Sequence, residues 1–160
     1  MSNIPLLERY LGVPLVRLHD AIHKGTRGRI GQRLPWMSVG PPFLLLHTMR
    51  SVTGPMNTDS LVYAIDASKY VVVASNHGEP WSPRWYHRIR ADHRVEITVA
   101  GHRMPATAKV VHFDDLDYER LWDLVNDNAF NRYRICQARK RRRIPIVTLT
   151  PCHDLGRCHR

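Results

Sequence analysis

Short apolar runs, broken at regular intervals by turn residues, set the plan of this chain. From residue 5 to 24, Leu6, Leu7, Tyr10, Leu11, Val13, Leu15 to Leu18 and Ile22 recur on one helical side. Pro14 interrupts that side and predicts a kink or two short helices. Lys24 to Arg33 is a basic, Gly-containing connector. Pro41-Pro42 then opens a strand over Phe43 to Thr48, and the Gly54-Pro55 step closes the turn after it. Thr58 to Ile65 and Lys69 to Ser75 read as a hairpin through Asp66-Ala67-Ser68. Ser82-Pro83 reads as a helix start, Ser as N-cap and Pro at the first helical position, with the helix running to Ala91. Arg94 to Ala100 and His102 to His112 alternate apolar and polar residues and hinge at Gly101. Asp114 is the expected cap of a helix reaching Asn126. A second helical piece spans Ala129 to Lys140, and Ile144 to Leu149 is a last strand.

Strands outnumber helices and short turns join them. The helices sit at the two ends, with one inserted. That order predicts a mainly β (α+β) domain built on a small antiparallel barrel with flanking helices.

Composition adds bounds. A length of 160 residues suits one domain, and 43% apolar residues suffice for a core. No apolar run approaches the ~18 residues of a membrane-spanning helix, and no secretory signal pattern opens the chain. Three cysteines are an odd number and predict no disulfide framework, which places the chain in a reducing cytoplasm. The formal charge of +10 predicts attraction to polyanions.

The stretch from Phe43 to Val99 carries more. An apolar strand leads into Arg50-Ser51-Val52-Thr53-Gly54, a strand follows through Leu61-Val62-Tyr63, then Tyr70-Val71-Val72-Val73-Ala74-Ser75, a loop, and Pro83-Arg84-Trp85-Tyr86-His87. Arg17-Leu18-His19 and Gly28-Arg29-Ile30-Gly31 precede it. Tyr133 to Arg139 and Arg143-Ile144-Pro145-Ile146-Val147 follow. In this order and spacing the chain resembles the deazaflavin-dependent nitroreductase and quinone-reductase family, whose cofactor is coenzyme F420. The resemblance implies a split β-barrel of the FMN-binding, pyridoxamine-oxidase-like kind. It divides the chain into an N-terminal helix and basic linker (1–40), a barrel domain (41–151) and an exposed tail (152–160). FMN and FAD are the alternative cofactors.

A strand end followed by small residues exposes backbone N–H groups that hold an anion. Thr48, Arg50, Ser51, Thr53, Gly54 and Asn57 are therefore candidates for the coenzyme phosphate. The family carries adjacent Arg and Lys in this turn, where this chain has Ser51 and Val52. Arg50 stands in place of a Gly, Asn57 in place of an Arg, and Ser60 in place of a Pro. An ordinary hairpin turn is the plain alternative. Ser75 and Asn76 match the family's residues beside the deazaflavin ring, and His77 replaces a Gly where a positive φ is preferred. Trp85 and Tyr86 match its pair near the ring and cleft wall, Trp85 with core packing as its competing role. The tyrosines that line the family's substrate pocket at three-residue spacing read here as Phe130, Tyr133, Cys136. Only Tyr133 keeps its phenol.

The resemblance implies hydride transfer from reduced F420 to a quinone, nitroaromatic or other planar acceptor, with Ser75, Tyr133 and Tyr86 as the catalytic candidates. Such chemistry resides in the cofactor, and the protein orients it and excludes water. The absent basic contacts leave a second reading open: a binding protein on the same fold, holding another flavin, a lipid or nothing. The basic N-terminal region leaves room for peripheral membrane contact, and related split barrels often dimerise, which admits a homodimer. Arg139 to Arg143 invites nucleic acid, but no base-stacking aromatics accompany it. Cys152-His153 and Cys158-His159 match no familiar zinc spacing, so no metal is expected. No His-Glu-x-x-His and no nucleophile elbow occurs.

Overall fold

A computed structural model describes residues 41–49, 54–138 and 141–152, together with Gly25. The helix expected over 5–24, most of the basic connector and the tail from 153 lie outside the described residues. Among the described residues six strands form a closed antiparallel barrel in the order β1-β2-β3-β6-β5-β4. They are β1 (Phe43–Met49), β2 (Met56–Asp66), β3 (Lys69–Val73), β4 (Arg94–Val99), β5 (His102–Val111) and β6 (Ile146–Pro151). Three helices join them: α1 (Arg84–Ala91), α2 (Tyr118–Asn128) and α3 (Arg132–Ala138). The split β-barrel with flanking helices is thus the fold that forms.

Period-two alternation divides each wall into two faces. Leu44, Leu46, Val72, Val95, Ile97, Ala106, Ala108, Val147 and Leu149 join Leu61 of β2 in one cluster. Side chains from all six strands meet only inside a barrel, so these positions face inward. Trp85, Tyr86 and Ile89 of α1 belong to the same cluster, so α1 plugs the barrel. The intervening residues Ala64, Val71, Val73, Val111 and Ile146 face outward and pack under α2 and α3, against Tyr118, Leu121, Trp122, Val125 and Tyr133. Burying each such side chain stabilises by about 1.5–3 kcal/mol.

Local chemistry explains the element ends. Ala100 and Gly101 have φ of 53° and 83°, and Val99 pairs with His102, giving a two-residue hairpin turn with both central residues left-handed. Ala67, with φ 52°, makes the other tight turn, between Asp66 and Lys69. Pro83 is extended at ψ 152° and takes the cap position, so α1 begins one residue later than Ser82-Pro83 predicts. Asp117, not Asp114, precedes α2. Asp115 Oδ2 instead accepts the His112 N–H at 2.7 Å and closes the β5–α2 turn. Phe130 and Asn131, at φ 53° and 58°, break the expected helix from Ala129, which starts at Arg132. The fully buried Asn126 secures that corner by accepting the Arg134 N–H at 2.9 Å and donating to the Trp122 carbonyl at 2.8 Å. Cys152 is disulfide-bonded, and Cys136 is a free, half-buried thiol.

Candidate active site

Antiparallel pairing throughout puts the ends of β1, β3 and β5 and the starts of β2, β4 and β6 on one rim. Thr48 pairs with Asn57, and Val73 pairs with Ile146, both near that rim. The β1–β2 turn, the β3–α1 loop, α1 itself and the α2–α3 connection all leave from it. The opposite end carries the two tight turns. The candidates Thr48, Gly54, Asn57, Ser75, Asn76, Trp85, Tyr86 and Tyr133 are scattered in sequence, and they all lie on elements at this rim or reaching it. Arg50, Ser51 and Thr53 lie outside the described residues.

Helix α1 is held at the rim by a charge. Arg88 Nε donates to Thr48 Oγ1 at 2.6 Å, and Arg88 Nη2 pairs with Asp59 Oδ2 at 2.7 Å. The Arg88 side chain is only 16% exposed, so its two charge-assisted bonds stabilise more than a surface pair does. The sequence reading missed this clamp. Its signal is spacing: Arg88 sits three residues after Trp85 and beside Ile89, on the face α1 buries. Trp85 and Tyr86 are both buried, with their rings edge-on 6.3 Å apart. Asn57 Nδ2 donates to the Pro55 carbonyl at 3.2 Å and braces the foot of the β1–β2 turn.

The β3–α1 loop opens with Ser75 in the right-handed region (φ −78°, ψ −25°) and Asn76 in the left-handed one (φ 46°). Such a step turns successive N–H groups toward one side, a shape that receives anionic or carbonyl oxygen. His77 takes φ 53°, the positive value its position prefers, and Gly78 follows at 89°. Asn76 Nδ2 donates to the Trp81 carbonyl at 3.2 Å. Helix α3 packs on this turn, with Cys136 Sγ 3.9 Å from where a Gly78 Cβ would stand. The series Phe130, Tyr133, Cys136 therefore passes from exposed to buried to half-buried toward the Ser75–Gly78 turn. Burial raises the Tyr133 phenol well above its ordinary range, so it stays protonated and keeps an O–H able to donate.

Gln137 of α3 ties in the chain that enters β6. Its Nε2 donates to the Arg142 carbonyl and its Oε1 accepts the Ile144 N–H, both at 2.9 Å. Arg142 Nε donates across to the Pro80 carbonyl at 3.0 Å. Arg142 Nη2 is buried without an acceptor.

A family model for F420H(2)-dependent quinone reductases matches residues 15–151. The chain belongs to that family. An F420H(2)-dependent quinone reductase of Mycobacterium tuberculosis is 52% identical over 144 residues, covering 90% of this chain and 95% of its own length. A solved F420-H2 dependent reductase shares 26% identity with a TM-score of 0.61, covering 68% of this chain and 93% of that one. A solved domain-swapped dimer, 23% identical with a TM-score of 0.62, covers 88% of this chain and 97% of its own, and it shares the fold. Membership makes the chain an oxidoreductase with coenzyme F420 as its cofactor. The residues present fit that group. F420 is a planar deazaflavin with an anionic phosphodiester and glutamate tail. The rim offers a right-to-left-handed N–H turn at Ser75-Asn76 and a guanidinium with a donor to spare.

Proposed function

We propose that the rim is where reduced F420 and a quinone meet, and that Ser75, Asn76, Trp85, Tyr86 and Tyr133 frame the reaction. The observation that carries this reading is the packing of α3 on the Ser75–Gly78 turn. It brings the helix of the one remaining phenol beside the residues expected at the ring. When bound, the reduced cofactor supplies the hydride, and the quinone also gains a proton to become a hydroquinone.

The chain's own residues hold and shield. Arg88 fixes α1 to Thr48 and Asp59, and so holds Trp85 and Tyr86 against the barrel interior. Thr48, Gly54 and Asn57 flank the stretch that the family resemblance assigns to the coenzyme phosphate. Tyr133 offers its O–H to a developing oxyanion on the acceptor. Its raised pKa argues against release of that proton, which then reaches the product from water. Nitroaromatics, planar and electron-poor, are a second acceptor class by the same reasoning. The +10 charge supports peripheral contact of the basic N-terminal region with an anionic membrane in the cytoplasm.

Fluorescence titration with F420, followed by turnover of a water-soluble benzoquinone by the reduced cofactor, tests the reading. Tyr133→Phe should lower turnover about tenfold or more, the scale of a lost positioned donor, and leave coenzyme affinity unchanged. Wild-type protein that binds the reduced cofactor yet reduces no acceptor would favour a binding protein on this fold.

A further inference from the structure

Arg142 has a guanidinium nitrogen that the protein does not use. Its backbone is fixed on both sides by Gln137, through the Arg142 carbonyl and the Ile144 N–H. Its Nε is spent on the Pro80 carbonyl. That leaves Nη2 buried, with no acceptor. An uncompensated buried donor on a cation is costly, and it is removed when an anion arrives. A guanidinium suits the task because its fork is planar and carries several donors: Nε–H meets the Pro80 carbonyl, and Nη2 keeps two N–H groups of its own. Pro80 belongs to the loop that begins at Ser75-Asn76 and ends at α1, so the spare donor lies on the site's own rim.

We propose that Arg142 Nη2 is an oxyanion-binding donor, taking a carboxylate or phosphate group between the 76–82 loop and the segment that enters β6. The proposal rests on the reading of this rim as the coenzyme site, which makes the phosphodiester and glutamate tail of F420 the source of that anion. Arg142 then grips the tail, at the far side of the loop from the ring.

Calorimetry on the full-length chain tests it with three probes. They are F420, the deazaflavin with its ribityl chain but no phosphate or glutamate, and inorganic phosphate or glutamate alone. Wild type should bind F420 more tightly than the tail-less ring. Arg142→Gln should weaken F420 by about tenfold or more, the scale of one charge-assisted contact, and leave the tail-less ring unchanged. Arg142→Lys keeps the charge without the fork and should fall between. Equal losses for F420 and the tail-less ring would assign Arg142 to loop structure and overturn the proposal. So would undiminished F420 and anion binding in a folded Arg142→Gln protein. Wild type that binds neither deazaflavin would overturn the coenzyme reading. Phosphate or glutamate binding lost in Arg142→Gln would then still establish the oxyanion site, with another source for its anion.

Discussion

The two ends of this barrel are made from the same strands and do different work. At one end Ala67-Ser68 and Ala100-Gly101 reverse the chain in two residues each, with left-handed backbone at Ala67, Ala100 and Gly101. Among the described residues the one side-chain tie from these turns to a helix is the exposed Asp66–Arg120 pair. At the other end the chain leaves the barrel for a turn, a loop with three successive left-handed residues, a plugging helix and a helical pair. That end holds the Arg88 clamp and the spare guanidinium donor. The difference teaches that a closed antiparallel barrel separates its tasks by connection length. Short turns fix register at one end, and long connections are free to carry chemistry at the other.

Four measurements sharpen or break that division. Arg88→Ala removes two bonds from a mostly buried cation. It should cost about 2–3 kcal/mol in urea unfolding and weaken F420 binding about tenfold, because α1 loses its tie to Thr48 and Asp59. A stability loss with full coenzyme affinity would separate the clamp from the site. Gly101→Val forces a β-branched residue to φ near 83° and should cost about 1–2 kcal/mol, with F420 affinity unchanged. A fall in affinity would show that the two ends are coupled. Asp66→Asn breaks the exposed pair with Arg120, whose hydrogen bond holds the Asp66 carboxyl below its usual range. Its effect at neutral pH should stay within about 1 kcal/mol, as for other surface pairs, and coenzyme binding should not respond.

The smallest expected effect concerns the wall outside the rim. His47 faces outward and bridges Thr58 at 2.9 Å and Thr98 at 2.8 Å. Burial, then the charge of Arg103, hold it below its ordinary 6.5, against the opposing pull of Glu96. The folded state therefore binds a proton less readily than the unfolded one. The stability due to neutral His47 is whole above pH 6.5 and drains as pH falls through its lowered folded value. Thermal melts from pH 8 to pH 5 should slope less steeply in His47→Gln than in wild type. Identical slopes would remove His47 from the acid response.

Much of this division was legible in the sequence. All six strands follow from short apolar or alternating runs between turn residues, and both tight turns from their punctuation at Asp66-Ala67-Ser68 and Gly101. Trp85 was readable as core because an aromatic beside Ile89 on a short helix has little else to do. What escaped was anything set by distance across the barrel. Arg88 reads as one more basic residue until Asp59, on a strand from elsewhere in the chain, comes to meet it. Gln137 and Arg142 lie five residues apart, but only the fold turns one toward the backbone of the other. The left-handed Phe130 and Asn131 carry no Gly or Pro signal, so the break before α3 was invisible. The coenzyme turn stays a reading of Arg50 to Thr53 by resemblance, and Tyr86 proved as buried as Trp85.

The closing seam of the barrel has a consequence in time. Val73 pairs with Ile146, Leu45 with Thr98 and Lys109 with Thr148, so three of the six ladders join segments tens of residues apart. The β2–β3 and β4–β5 hairpins can zip within about 1–10 μs. The β3–β6 seam must wait for α2 and α3 to find their place between its partners, after the loop-closure entropy has been met. Until it closes, β3 and β6 are open edges on an apolar sheet, able to pair with another chain. Refolding in milliseconds to seconds is the expectation for so non-local a topology, and the yield should fall as protein concentration rises through that window. The same arrangement that leaves the finished barrel without an edge makes its last step the hazardous one.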